Sequence, residues 1–514
     1  MPKRLCAVAA LLLAPLLSHA SAGCVRPGDS VFADSFESSQ GSVRYVAQPG
    51  SDAADGSLNT PWATIQHAVN LLNPGDTLCV RAGVYNETVG ITRSGTQAAP
   101  IVVRAEPGEA AVVDGTGLSV PGHQWGLITL SDASYVTISG FELRNYKRNT
   151  SADVPIGLYV TGAGSGLRVI GNHIHDIANS ASGCAANAFG LKVDGTRAPQ
   201  SIDGIVIAGN EIDHLVLGCS ESFSLDGNVQ NFTISGNSVH DTNNIGIGAI
   251  GFEGVAPDPA YDQARDGTIV GNTVYNITSF GNPAYGNQYA ADGIYIDGGT
   301  RITIERNRIH HVDLGIELAS EHATRTTSHV LARNNLVYFG NSSGISLGGY
   351  DAGVGGTDQC TVINNTLFEN DSKNTGSGEL QIQYHATANT IENNILQAGA
   401  SGVLLYAYTG DTAAPAMLDH NVYFSSASAG ALSWTWKGND YATLDAFRAA
   451  SAQDAQSNYA TPLFLDALAP DLRVAPASPA VGGGVNAGAS VVGASDFAGS
   501  PRVIGTIDVG AYEQ

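Results

Sequence analysis

Positive charge is scarce in this 514-residue chain, with 24 Lys and Arg against 47 Asp and Glu and a net charge of -23. Binding a phosphate backbone needs basic surface, so nucleic acid is excluded as a partner. A polyanionic substrate would in turn need local neutralisation by a cation or a basic side chain. Past the first residues no apolar run reaches the roughly 20 residues of a membrane helix. Cysteine is sparse and none of it has a zinc-ligand spacing. Runs of apolar residues at 3.6 spacing are missing from the middle of the chain, which excludes a helical solenoid.

Two ends of the sequence stand apart. "MPKRLCAVAALLLAPLLSHASAG" has basic Lys3 and Arg4, an apolar run to Leu17 and an A-x-A pattern at Ala20 and Ala22. That pattern predicts a secretory signal over 1–22 and a secreted product, extracellular or periplasmic. Ser21, where a lipoprotein signal has an apolar residue, argues against lipid attachment at Cys24. Export permits disulfides. Cys184 and Cys219 each precede a repeat strand and are expected to pair, Cys24 with Cys79 would pin the N-terminal arm, and an odd thiol is left buried. "YATLDAFRAASAQDAQ" predicts a short helix near the other end.

What the middle contains is a repeat. "GNHIH", "GNEID", "GNSVH", "GNTVY", "RNRIH", "NNLVY", "NNTLF", "NNILQ" and "HNVYF" align Asn172, Asn210, Asn237, Asn272, Asn307, Asn335, Asn365, Asn394 and Asn421. Short strands with Gly/Asn turns at a repeating spacing mark a solenoid. Each unit has a second strand whose period-two alternation turns pairs such as Leu191/Val193, Phe223/Leu225, Ile294/Ile296 and Ile316/Leu318 to one face. Stacked coils bury that face, and asparagines at equivalent turns form amide ladders. The predicted architecture is all-β, a right-handed parallel β-helix with a short N-terminal capping helix from about Pro61 to Leu72. The expected layout is signal 1–22, linker 23–43, N-terminal cap and first coils 44–115, β-helix 116–425 and closing segment 426–514, as a monomer.

The same alternation points other side chains outward: Lys192/Asp194, Ser224/Asp226, Gly248/Ile250, Tyr295/Asp297 and Glu317 on successive coils. With coils about 4.8 Å apart, acids distant in sequence form columns on one sheet. Asp194 and Asp226 share a column, and two carboxylates that close need a cation or a shared proton. Their open oxygens suit calcium, with Lys192 beside them. Asp297 and Glu317 are diagonal neighbours, with Glu321 and His322 at the strand's exit. Gly248 and Gly251 between the clusters predict a trough with Glu253 at its edge. An outward Asp before Gly is also a common turn former, and the later outward pairs, Ser346/Gly348 and Gln381/Gln383, carry no charge. A structural rod would spread its charges evenly; their confinement to five consecutive coils predicts a site.

"SVRYVAQPGSDAADGSLNTPWATIQHAVNLLNPGDTLCVRAGVYNETV" with "APIVVRAEPGEAAVVDG" resembles the N-terminal region of secreted right-handed β-helix polysaccharide lyases, notably family 9 pectate lyases. The resemblance covers about residues 45–115. It implies a polysaccharide substrate and favours β-elimination from a uronate, with calcium at Asp194/Asp226, Lys192, Tyr295 or His322 as base, and Glu253, Glu321 and Gly248 against the substrate. The family's "DDGWD"-type calcium cluster has no counterpart here; "NNIGIGAIGFEG" stands in the comparable coil. The other expectations are hydrolysis with Asp297 and Glu317 as acid and base, and a non-catalytic carbohydrate-binding or adhesin-like solenoid.

Overall fold

A computed structural model describes residues 41–427 and 432–514; the signal, the first 18 residues of the linker and Cys24 lie outside them. The repeat becomes three 13-stranded sheets that wind together. The first runs from Val43–Val46 to Ala416–Asp419, the second from Gly83–Tyr85 to Asn458–Tyr459, the third from Val89–Ile91 to Asn439–Tyr441. Within each sheet every strand pairs in parallel with its counterparts one coil away, until an antiparallel pair, Trp434 opposite Tyr441, ends the third.

The inward residues of the alternating strands form one continuous core: Leu191, Val193, Phe223, Leu225, Ile294, Ile296, Ile316 and Leu318 are all fully buried in it. The asparagines form the ladder at the turn between the first and second sheets. Each Nδ2 donates to the Oδ1 of the next asparagine, from Asn172 through to Asn421, at 2.9–3.2 Å. The same Oδ1 also accepts the preceding asparagine's backbone N–H. A buried turn, which would otherwise leave polar groups orphaned, is thereby satisfied coil by coil.

The N-terminal helix is shorter than the sequence predicts, Ile65–Val69. Asp52 accepts the N–H groups of Ala63 and Thr64 and Trp62 bridges to Val46, so 61–63 stay extended. Thr64 then caps the helix, which buries Ile65, Ala68 and Val69. The second helix, Leu444–Ser451, packs Leu444 and Phe447 with Trp434 and Trp436 at the far end of the core. The tail beyond it runs back along the flank: Leu472 and Ala511 pack on Leu336, Tyr338 and Phe368, outer residues of the second sheet. Cys184 and Cys219 form a disulfide, and Cys360 is free and buried.

Candidate active site

The third sheet places the outward residues in the expected register. Lys192 and Asp194 lie opposite Ser224 and Asp226, Gly248 and Ile250 opposite Tyr295 and Asp297, and Tyr295 opposite Glu317. The face is not the open ribbon that alternation alone implies. Asp194, Asp226, Asp297 and Tyr295 are buried and Glu317 half-buried: Tyr159, Gln124 and Lys192 of neighbouring strands close over Asp194, and the backbone at Glu321 closes over Asp297. The trough expected at Gly248 is filled: a Cβ there would come 3.0 Å from the Cγ of Glu221. A Cβ on Gly251 would come 3.0 Å from the Cα of Gln263.

At one end Lys192 Nζ lies 3.0 Å from Asp194 Oδ2 and 4.7 Å above the Phe189 ring. Tyr159 donates to the same Asp194 oxygen at 2.8 Å, and Gln124 donates to both Tyr159 and Asp194. Asp194 Oδ1 and Asp226 Oδ1 are buried with no hydrogen-bond partner. Burial, then the neighbouring Asp194 charge, push the Asp226 carboxyl well above the ordinary range. The two orphan oxygens fit a hard cation in charge, but two carboxylates supply few of the 6–8 oxygens calcium takes, and the Lys192 ammonium already neutralises one.

Further along, Tyr295 donates to Glu321 at 3.1 Å, and Asp297 Oδ1 accepts the Glu321 backbone N–H at 2.8 Å. His322 Nε2 stands 3.1 Å from Glu253 Oε1. One ligand atom each from Glu253, Asp297 and His322 falls within a 4.8 Å cluster able to hold a metal ion. Burial, aided by the charges of Glu321 and Glu253, raises the Asp297 carboxyl well above normal, against the Glu321 N–H.

Glu317 and Asp292 stand close enough to share a proton, with Ser346 beside Glu317. Asp292 Oδ1 is buried with no hydrogen-bond partner, and Ser346 donates to Gln381. Burial and the Glu321 charge push Glu317 up to about 7, against the opposing pull of Asp292 and Ser346. Burial and the charge of Glu317 raise Asp292 further. Glu221, in the filled trough, is also pushed up to about 7 by burial.

Strict alternation misses both Asp292 and Glu221. Counting back from inward Ile294 turns Asp292 into the core. The alternation breaks at Gly293, whose virtual Cβ points at the core residues Ile309 and Val312 and stops 2.7 Å from the Gly315 carbonyl. The chain can make this corner only without a side chain there, since the next coil's backbone is in the way. Gly190, Gly246, Gly315 and Gly344 repeat the close approach on other coils. The signal in the sequence is the glycine before each apolar pair, in "FGLK", "IGIG", "DGIY", "LGIE" and "SGIS"; it shifts the preceding residue to the outer face.

These acids set the pH dependence of stability. Each holds its proton more tightly folded than unfolded, so the stability these acids contribute is fully present below the unfolded value near 4.5 and is lost as pH rises through about 7. For Glu221 the loss is about 3 kcal/mol. Melting temperature is expected to be highest near pH 5 and to fall to pH 8, and Glu221→Gln should flatten that fall. An unchanged profile in the variant would contradict the assignment.

Fold and site together define a parallel β-helix protein with a cluster of largely buried acids on the outer face of one sheet. Residues 44–188 match the family model described as "Pel9A-like, right handed beta helix region", and residues 260–445 one described as "Right handed beta helix region". The chain belongs to the family of the uncharacterized protein YwoF of Bacillus subtilis (strain 168), to which it is 37% identical over 448 residues, 86% of this chain and 93% of the relative. Pectate lyase PEL9 of Emericella nidulans is 36% identical over 126 residues, 22% of this chain and 31% of PEL9. The crystal structure of pectate lyase Pel9A covers 92% of this chain and 96% of its own at 17% identity, with a TM-score of 0.47. No helix among the described residues is long and apolar enough to cross a membrane.

Proposed function

We propose that this protein is an exported enzyme that cleaves a polysaccharide lying along the third sheet, by proton transfer between carboxyl groups. The observation that carries this reading is the Asp292–Glu317 pair, two interacting acids on neighbouring coils beside Tyr295, with Glu317 pushed up to about 7 by burial. A carboxyl held near neutrality is the form a general acid needs. Glu317 is the acid that protonates the leaving oxygen. Asp297, on the neighbouring coil, is the base toward water: burial raises its carboxyl, and the Glu321 N–H favours the ionised form that this role needs. Diagonal neighbours on a sheet stand roughly 7–8 Å apart, within the 6.5–9.5 Å of inverting glycosidases.

The groove favours a neutral glycan. Glu221, Asp226, Glu253, Asp292, Asp297, Glu317 and Glu321 line it. Where these acids ionise they would repel a polyuronate, and Lys192 is already held by Asp194. β-Elimination is the second reading, supported by the orphan oxygens of Asp194 and Asp226, which a calcium ion would occupy, with Lys192, Tyr295 or His322 as base. The pectate lyase named among the partial relatives adds to it.

The test is a panel of neutral and acidic polysaccharides, with and without calcium. Reducing ends without ultraviolet absorbance, with products of inverted anomeric configuration by NMR, are expected. Calcium-dependent absorbance of unsaturated uronates would replace hydrolysis with elimination. Silence on every substrate would leave a carbohydrate-binding solenoid.

A further inference from the structure

The second sheet, away from the groove, gathers four of the chain's 13 histidines around one buried carboxylate, Asp213. His175 lies opposite Asp213 on the adjacent coil, and His240 opposite it on the next. His173 Nε2 is 3.0 Å from Asp213 Oδ1, and His214 Nδ1 is 2.7 Å from Asp213 Oδ2. The rings of His173 and His175 stack at 4.3 Å. One ligand atom each from His173, His175 and Asp213 fits within 4.8 Å, as does one each from Glu211, Asp213 and His240.

Ring stacking along the solenoid explains part of this column. His240, Tyr275, His310 and Tyr338 stack on successive coils at 4.5, 5.1 and 4.9 Å. The stack ends at Asp213, where a carboxylate replaces the ring. Stacking also gives no reason for His173, two register positions off that column, to face Asp213.

The nitrogens carry a sharper sign. His175 Nδ1 lies 2.9 Å from Asp176, and His240 Nδ1 2.7 Å from Asp241. A neutral imidazole whose Nδ1–H donates to a carboxylate turns a bare Nε2 lone pair outward. Those Nε2 atoms face further carboxylates, each at 3.4 Å: Glu142, whose Oε1 also accepts from Arg144, and Glu211. Lone pair against carboxylate is repulsive unless a proton or a cation stands nearby, and at Glu211 no guanidinium is among the contacts with the described residues. An Nδ1–H held by a carboxylate with Nε2 presented outward is also the usual arrangement around metal-ligating histidines.

We propose that His173, His175 and Asp213 bind a first-row transition-metal dication, for which zinc is the probe. Imidazole with carboxylate suits zinc, nickel or copper and not calcium or magnesium. Such an ion would clamp two successive coils through side chains that reach the surface, His173 being half-buried and His214 exposed.

The experiment uses the tag-free full chain with His322→Ala, which removes the imidazole of the acidic groove. Equilibrium dialysis against zinc followed by metal analysis is expected to find one ion per chain, undisplaced by excess calcium. Cobalt in its place should give the visible absorption of a mixed nitrogen–oxygen site. The double variant His173→Ala/His175→Ala should bind at least about tenfold more weakly. Asp176→Asn, which leaves every ligand in place and releases the His175 tautomer together with the exposed Lys147 ion pair, should weaken binding about tenfold. Absence of zinc from the parent after dialysis would overturn the proposal. So would full retention by a double variant whose circular dichroism matches the parent. If the double variant does not fold, undiminished zinc binding by Asp176→Asn has the same consequence.

Discussion

Glu317→Gln is expected to lower kcat on the cleaved polysaccharide by about 10²- to 10⁴-fold, the range that a positioned proton donor contributes. The amide keeps the side chain's shape and can still sit against Asp292 and Ser346, so KM and the melting curve at pH 5 should change little. It cannot deliver a proton to a leaving oxygen. Asp297→Asn should be comparably inactive, through loss of the base. A rate within threefold of the parent for either variant would remove the pair from the mechanism. Stability and activity together make the test sharp, because a merely structural acid would reverse the pattern.

The neighbours of Glu317 allow the same claim to be checked through pH. The Glu321 charge raises Glu317, whereas Asp292 and Ser346 beside it lower it. Activity requires protonated Glu317 and should fall as pH rises through about 7. Glu321→Gln takes away a raising charge, so that limb should move to lower pH. Ser346→Ala takes away a lowering neighbour, so the limb should move up. Shifts in the opposite sense would assign the alkaline limb to another group.

The contrast between what the residues revealed and what they concealed has a physical origin. Period-two alternation and the spaced asparagines specify coil stacking because each answers to a local rule: apolar side chains go in, and buried amides must pair. The register that sets Asp194 opposite Asp226 and Tyr295 opposite Glu317 follows directly. Alternation fails at the corner glycines, where a backbone constraint between coils overrides side-chain period and brings Asp292 outward; in the coil of Glu221 the small Ser222 stands at that corner. It also says nothing about the neighbouring side chains and backbone that close over the sheet. For that reason Asp297 and Tyr295 look solvated in sequence and are buried in the fold, and Glu221 fills a space that Gly248 alone appears to leave open. The shortened first helix has a similar cause, since Asp52, eleven and twelve residues away from Ala63 and Thr64, takes their N–H groups.

The ladder itself predicts the largest loss of stability. Asn307 sits near the middle of the asparagine series, with its side chain fully buried. Its Oδ1 accepts both the backbone N–H and the Nδ2 of Asn272, and its Nδ2 donates to Asn335 Oδ1 and to the Ile269 carbonyl. Asn307→Ala removes all four bonds; Asn335 Oδ1 keeps the residue-307 N–H and Asn272 Nδ2 keeps the Ile234 carbonyl, while the Asn272 N–H and the Ile269 carbonyl lose their partner inside a buried turn. Each orphaned buried group costs about 1–3 kcal/mol, so about 2–5 kcal/mol is expected in denaturant unfolding. Asn439→Ala, which removes an exposed bond to the Lys437 carbonyl, should stay within about 0.5 kcal/mol. The loss at Asn307 should be shared with the groove: the coil that Asn307 anchors lies between the strand bearing Asp297 and the strand bearing Glu317, and a slip there separates acid from base. The variant should therefore lose activity on warming before its bulk unfolding transition, whereas Glu317→Gln should lose activity at every temperature. Loss of activity only together with global unfolding would show that the coils melt as one unit.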